Sequence, residues 1–445
     1  MKEKIINMAK YIFIILVLII IYILLLILTN KIPSSMLEKN IKESSQILEE
    51  EGETKEVNLG YKKEYVFNFS DALMLNMAYS VNSNKPIESM LLSRKDYIPN
   101  VTKTENTKPT INIGTDPRFI DAKTGDVSHT KELNHFINNK DMEESYEYAR
   151  YWHGYMIFLR PLLIIFNINQ IRILFTIILV GLSLVLLYLL YKKINLITAI
   201  SFALGLFSCS VFIVGQSLSE ISVFIITLIM SIILLLKKDV NKNLGIPFFI
   251  CGSLVGFMDL LTEPLIPLLI PITVYFLIAQ KQEKMSWKDA LKKYIYLCFI
   301  WVVAYIATWI LKWVILDIVK NRGIFAQALD QILVRSSDKR ITYIRILKRI
   351  YQYFSISSLY IMIIPMIIMI IIGIIREKNR KSKLQICLLP FIFNLLAPFV
   401  WYFFIKNHSY IHPFFSYKLL FITVVNVFII IANIFNLYKI NEEKK

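Results

Sequence analysis

Runs of about 20 apolar residues recur along the chain between short polar breaks, at the length a helix needs to cross the hydrocarbon core of a bilayer. Hydropathy places about ten of them, at roughly 11–29, 171–191, 194–216, 219–236, 245–262, 264–280, 294–317, 357–375, 384–405 and 417–438. The pattern predicts an all-α polytopic membrane protein of about 10 transmembrane helices with a large first extracytoplasmic loop. The first run is longer than a signal-peptide core and is followed by Asn30-Lys31-Ile32-Pro33 rather than a small-residue cleavage site, which reads as a retained anchor.

Charge sets the expected orientation. With the N-terminus and its Lys2, Lys4 and Lys10 inside, the loops at Lys192-Lys193, Lys237-Lys238-Lys242, 281–293 and 376–383 all become cytoplasmic, and all are basic. The opposite turns, 217–220 and 262–264, carry no Lys or Arg. The division expected is residues 1–30, tail and first span; 31–150, an extracytoplasmic domain; 151–170, an interfacial helix; 171–317, spans two to seven; 318–356, a basic extracytoplasmic loop; 357–438, the last three spans; and 439–445, a cytoplasmic tail.

The loop 318–356 runs against the charge rule, because it holds Lys320, Arg322, Arg335, Lys339, Arg340, Arg345, Lys348 and Arg349. Longer loops obey that rule less strictly, and Ile341 to Phe354 reads as a basic amphipathic helix on the membrane surface, or as a solvated loop touching headgroups. Within 31–150, Glu38 to Lys63 is charged and reads as helix or partly disordered chain, and Asn100 to Thr115 as an irregular loop.

Composition changes this picture little. A net charge of +17 would suggest nucleic acid in a soluble protein, but here many cations flank apolar spans, so no nucleic acid is expected. The four cysteines all fall inside apolar stretches, so the polar segment 31–150 has neither a disulfide framework nor a cysteine zinc site. No Gly-rich phosphate loop, H-E-x-x-H or G-x-S-x-G occurs.

All five histidines fall on the outer side of this topology, with Asp71, Arg160, Glu220, Asp259, Glu263 and Lys418 interrupting apolar sequence there. Charges at membrane depth are costly and usually face a cavity or a partner, so their convergence predicts one outward-facing polar site. Asp71, in a largely apolar helical run, reads as a general base, a metal ligand or, with Ser70, a helix N-cap. Asp259 and Glu263, four apart, would share one helix face and call for a bridging cation, or else solvate the tip of a hairpin kinked by Pro264, Pro267 and Pro271. His408 and His412 give a weak zinc spacing that Pro413 cuts short; they suit hydrogen bonding to sugar hydroxyls or phosphate, or an interfacial aromatic belt. Arg150, His153 and Arg160 suit phosphate or headgroup contacts. A divalent cation is the one cofactor these groups invite, and none is specified.

The order of parts resembles the GT-C superfamily of membrane glycosyltransferases: an anchor, a large first loop with an acid near its start, an interfacial helix, then many spans. Asp71 stands where the first-loop acid is expected. Trp152-His-Gly-Tyr-Met-Ile-Phe-Leu-Arg-Pro-Leu-Leu-Ile-Ile-Phe-Asn-Ile-Asn-Gln-Ile-Arg172 resembles the loop exit, with an arginine opening the next helix. The chain departs from the pattern in having Asp71-Ala72 in place of an acidic pair, His153-Gly154 in place of His-Pro-Pro, and no clear D-x-D in the first loop. The resemblance implies sugar transfer from a polyprenyl-phosphate-linked donor to an extracytoplasmic glycan or protein acceptor in cell-envelope assembly. Asp71 would be the catalytic base, and Arg150, His153, Arg160, Asp259, Glu263, His408, His412 and Lys418 would be substrate-binding groups. A transporter or flippase for lipid-linked glycans and a non-catalytic scaffold of an envelope assembly are the other classes the residues admit.

Overall fold

The computed structural model describes residues 2–97, 128–139, 144–321, 323–336, 341–377 and 386–437. The predicted irregular loop at 100–115, as well as Arg322, Lys339 and Arg340, lies outside the described residues. The chain is overwhelmingly helical. Among the described residues five helices are long and apolar enough to cross a membrane: α1 (Lys2–Asn30, apolar from Met8), α7 (Ile168–Lys193), α12 (Trp287–Lys320), α14 (Tyr343–Glu377) and the run Pro413–Ile434.

That count corrects the expected ten. The remaining apolar segments form shorter helices of 13 to 17 residues: α8 (Leu196–Ser208), α9 (Ile221–Leu236), α10 (Gly245–Met258), α11 (Ile266–Gln282) and α15 (Leu389–Phe404). Averaged hydropathy ran across their breaks. The 194–216 run stops at Ser208, turns through Ser210 at φ 48°, and continues as a 3-10 helix over Val211–Gln216. The 245–262 run stops at Met258, and Asp259 to Pro264 form a turn in which Leu261 holds φ 68°.

The polar segment after α1 is a small mixed domain. Helix α2 (Glu38–Glu51) leads into an antiparallel hairpin, β1 (Thr54–Asn58) with β2 (Lys63–Phe67), in which Thr54 pairs with Phe67. The charged run at 38–63 is therefore helix and hairpin, and the chain is not purely α. Next come α3 (Asn68–Tyr79), α4 (Pro86–Leu92), and β3 (Arg94–Tyr97), which pairs with β4 (Glu144–Glu147) across α5 (His129–Asn139). Glu53 ties α5 down by accepting from Thr130 N at 2.8 Å, Thr130 Oγ1 at 2.8 Å and Ser128 Oγ at 3.0 Å. The short helix α6 (Met156–Ile165), with Pro161 inside it, leads from this domain into α7.

Close backbone approach sets the bundle packing. Gly252 and Gly256 lie one turn apart on α10, and a Cβ at Gly252 would fall 2.3 Å from the Trp301 carbonyl oxygen on α12. This small-xxx-small spacing lets two helices meet without side chains between them. In α14, non-helical Ser355 (φ 70°) separates the basic stretch from the apolar one, and Arg345, Lys348 and Arg349 are exposed while Ile346, Ile350 and Phe354 are buried.

The bundle has two chemically different ends. The breaks at 193–196, 237–245, 283–287 and 386–388 meet at one of them, where Lys281 donates to the Lys193 carbonyl at 2.9 Å and Gln280 to the Cys387 carbonyl at 3.2 Å. Lys293 reaches Asn241 Oδ1 at 3.1 Å at that end. The other end is covered by the mixed domain. It is joined there by α13 (Ile324–Ser336), α16 (Lys406–Ile411) and α17 (Pro413–Ser416).

Candidate functional site

A buried network of charged side chains fills the junction between the mixed domain and the bundle. Asp71 projects from the first turn of α3 and is fully buried. Its Oδ2 accepts from Arg172 Nη2 at 2.9 Å and its Oδ1 from the Leu218 backbone N–H at 2.9 Å. The N-cap of α3 is Phe67, so neither Ser70 nor Asp71 caps its own helix. Burial pushes the Asp71 carboxyl up to about 6, against the pull of Arg172 and the Leu218 amide, and the negative charge of Glu220 adds to the rise.

Arg172, opening α7, spans two carboxylates. Its Nη1 donates to Glu51 Oε2 at 2.9 Å, and its Nη2 also reaches Asn68 Oδ1 at 2.7 Å. The capping box of α7, in which Asn167 and Gln170 satisfy each other's backbone N–H groups, fixes where the helix starts and so where Arg172 points.

Behind Asp71, Glu220 at the head of α9 pairs with Lys418, from the run that opens α18 (Leu420–Ile434). Glu263 is fully buried beside this pair and near Asp259. Burial raises its carboxyl well above the usual carboxylate range; Glu220's charge adds to that, and Lys418 opposes it. Asp259 Oδ1 accepts from Thr262 N at 2.9 Å and Thr262 Oγ1 at 2.6 Å, and burial pushes its carboxyl up to about 6. Asp259 and Glu263 do not share a helix face, because 259–264 is a turn. They do not solvate a hairpin tip either, since both are buried, and Pro267 and Pro271 are accommodated within α11.

A third pair, Lys62 and Glu64, lies 2.5 Å apart on the hairpin, with Tyr417 O–H donating to Glu64 at 2.9 Å and Lys62 to Ser358 at 3.0 Å. Of the sequence candidates, Asp71, Asp259, Glu263 and Lys418 come together, and Glu220 joins them.

The other candidates sit elsewhere. Arg160 is fully buried and donates to the carbonyls of Thr29, Ile32 and Ala78, holding the end of α1 to the end of α3. His153, at φ 56°, bonds the Tyr148 carbonyl through Nε2 at 2.8 Å and the Tyr155 hydroxyl through Nδ1 at 3.2 Å. Burial lowers it to about 3, so it is a neutral ring. Arg150 lies over the Tyr148 ring, 5.4 Å from its centroid. His408 and His412 pack ring to ring at 5.0 Å in an aromatic group with Phe414 and Phe415. Among the described residues no group of three or more His, Cys, Asp or Glu side chains could hold a metal ion.

The sequence reading passed over Glu51, Lys62 and Glu64. Glu64 alternates with exposed neighbours on β2 and shares the inward face with Val66, a period-two signal that a strand assignment would have exposed. Lys312, deep in α12, donates to the carbonyls of Met90 at 2.7 Å and Leu91 at 3.0 Å, where α4 ends. It too lay in sequence read only as a span. Compared with known proteins, the chain matches no protein-family model, no curated protein and no solved structure.

Proposed function

We propose that the protein is a membrane glycosyltransferase of the GT-C kind, transferring a sugar from a polyprenyl-phosphate-linked donor to a glycan or protein acceptor outside the cytoplasm. The observation that carries this reading is the convergence of Asp71, Arg172, Glu220, Lys418, Glu263 and Asp259 in one buried network at the bundle end that the mixed domain covers. That end lies opposite the lysine-bearing breaks, which the positive-inside rule assigns to the cytoplasm.

In this reading Asp71 takes the proton of the acceptor hydroxyl. A carboxyl poised near 6 is ionised at neutral pH yet more basic than an ordinary aspartate. Arg172 would hold it in place, and acceptance of a proton would follow release from one of its two donors. The leaving phosphate would meet cations near the headgroups, for which Arg150, over the Tyr148 ring, and the exposed Lys348 are the candidates. Arg160 is not used, because its guanidinium is held by backbone carbonyls.

The test is release of free polyprenyl phosphate from a panel of lipid-linked sugars by the purified chain in liposomes, with acceptor glycans added. Release from one donor supports the reading. Movement of intact donor between leaflets without release would replace it with a flippase.

A further inference from the structure

Every cation of the buried network is already matched to an acid other than Glu263. Arg172 answers Asp71 and Glu51, Lys62 answers Glu64, and Lys418 answers Glu220. Asp259 is held without a cation, by the backbone N–H groups of Leu260, Leu261 and Thr262 and by the Thr262 hydroxyl. Glu263 is fully buried and has none of these donors.

The partner of the Glu263 carboxyl is another carboxyl, that of Glu220. Among the described residues no N–H or O–H group donates to either oxygen of Glu263. Two ionised carboxylates offer only acceptor oxygens, so in contact they repel; a hydrogen bond between them needs a proton on one of the two. Lys418 balances one negative charge, and a proton removes the other. The rise that burial imposes on Glu263 acts in the same direction.

We propose that Glu220 and Glu263 form a proton-binding site, sharing one proton at neutral pH, and that this proton joins the head of α9 to the turn at 259–264. The groups facing the pair are few. Glu263 meets Asp259, Lys418 and, from α15, Tyr402, whose hydroxyl donates to the Ser416 carbonyl at 2.9 Å. Glu220 meets Asp71 and Tyr417, while Glu64 and Cys209 face Lys418. Loss of the proton sets a second negative charge beside Glu220 with Lys418 as the cation for both, and so drives the turn away from α9. Glu220 follows Leu218 by two residues, and the Leu218 N–H holds Asp71, so the contact that loosens at alkaline pH is one that supports Asp71. The inference does not depend on glycosyl transfer; a flippase or a scaffold with this pair would hold the same proton.

Infrared spectroscopy of the full chain in liposomes at pH 8, read at the C=O stretch of protonated carboxyl groups, tests it. Asp71 and Asp259, near 6, are ionised at that pH. The wild type is expected to show one such band, and labelling the carboxyl carbon of glutamate should shift it, an assignment that requires no variant to fold. Glu263→Gln and Glu220→Gln should each lose the band. In Glu220→Gln the new amide donates to Glu263 and Lys418 pairs with it, so Glu263 ionises. The folding constant of wild type relative to Glu263→Gln should also fall as pH rises above the ordinary carboxylate range, by up to about tenfold per pH unit, because the folded chain keeps a proton that the unfolded chain has lost. No band in the wild type, a band that glutamate labelling leaves in place, or one that survives Glu220→Gln would overturn the sharing.

Discussion

Arg172 and Asp71, separated by 101 positions in sequence, meet at 2.9 Å in a fully buried ion pair that joins the mixed domain to the long helix α7. The same guanidinium holds Glu51, so one side chain fixes α2, α3 and α7 relative to one another. Removing one partner of a buried pair strands the other's charge, a loss of about 3–5 kcal/mol. Arg172→Gln should therefore lower stability by about that much in reversible unfolding in mixed micelles, and Asp71→Asn in the same background should recover part of it. Additive losses would mean the two groups do not interact in the folded chain.

Lys418 and Glu220 make a second such pair, with Glu263 alongside. Lys418→Met strands the buried Glu220 carboxylate beside Glu263 without a cation, and should cost about 3 kcal/mol or more. Glu220→Gln added to Lys418→Met should restore most of that, because a neutral amide replaces the stranded charge. The melting temperatures of the single and double variants decide it.

The close contact of α10 with α12 depends on Gly252. A methyl group there meets the Trp301 carbonyl at 2.3 Å, an atom of the backbone that cannot swing aside. Gly252→Ala should cost about 1–3 kcal/mol. Gly181→Ala in α7, where a Cβ meets nothing within 4 Å, should cost nothing measurable in the same assay.

Asp71 titrates near 6, above the usual carboxylate range, because burial outweighs its two donors. A carboxyl raised in the folded state contributes stability that is present at low pH, below its ordinary value near 4, and is lost as pH rises through about 6. The stability of wild type relative to Asp71→Asn should therefore fall between about pH 4 and pH 6 and then level off. If Asp71 is the base, activity should rise over the upper part of that window, since only the ionised form accepts a proton. Asp259, also near 6, contributes a similar term to total stability, which the comparison with Asp71→Asn cancels.

Much of the helical framework was legible from hydropathy alone, because a bilayer-length apolar run leaves few alternatives. The breaks within it were less so. Asp259-Leu-Leu-Thr-Glu-Pro averages as apolar, yet the Asp259 carboxylate collects the Thr262 amide and hydroxyl and turns the chain. A window average cannot see that local hydrogen bonding. The meeting of Asp71, Glu220, Asp259, Glu263 and Lys418 was legible as a group, because each is an expensive charge in apolar sequence at one end of the bundle. Their pairing was not, since Arg172 and Lys418 are matched to acids 101 and 198 positions away. Arg160 carried the same signal of a charge in apolar sequence and serves instead to hold helix ends together, which no spacing distinguishes.

The most direct measurement is release of free polyprenyl phosphate from lipid-linked sugars in proteoliposomes, comparing wild type with Asp71→Asn at pH 7.5 after both are shown to melt cooperatively. Release by wild type from at least one donor, falling by at least a hundredfold in the variant, is the expected result. Release that survives Asp71→Asn unchanged would remove Asp71 as the base, and no release from any donor by the folded wild type would contradict glycosyl transfer itself.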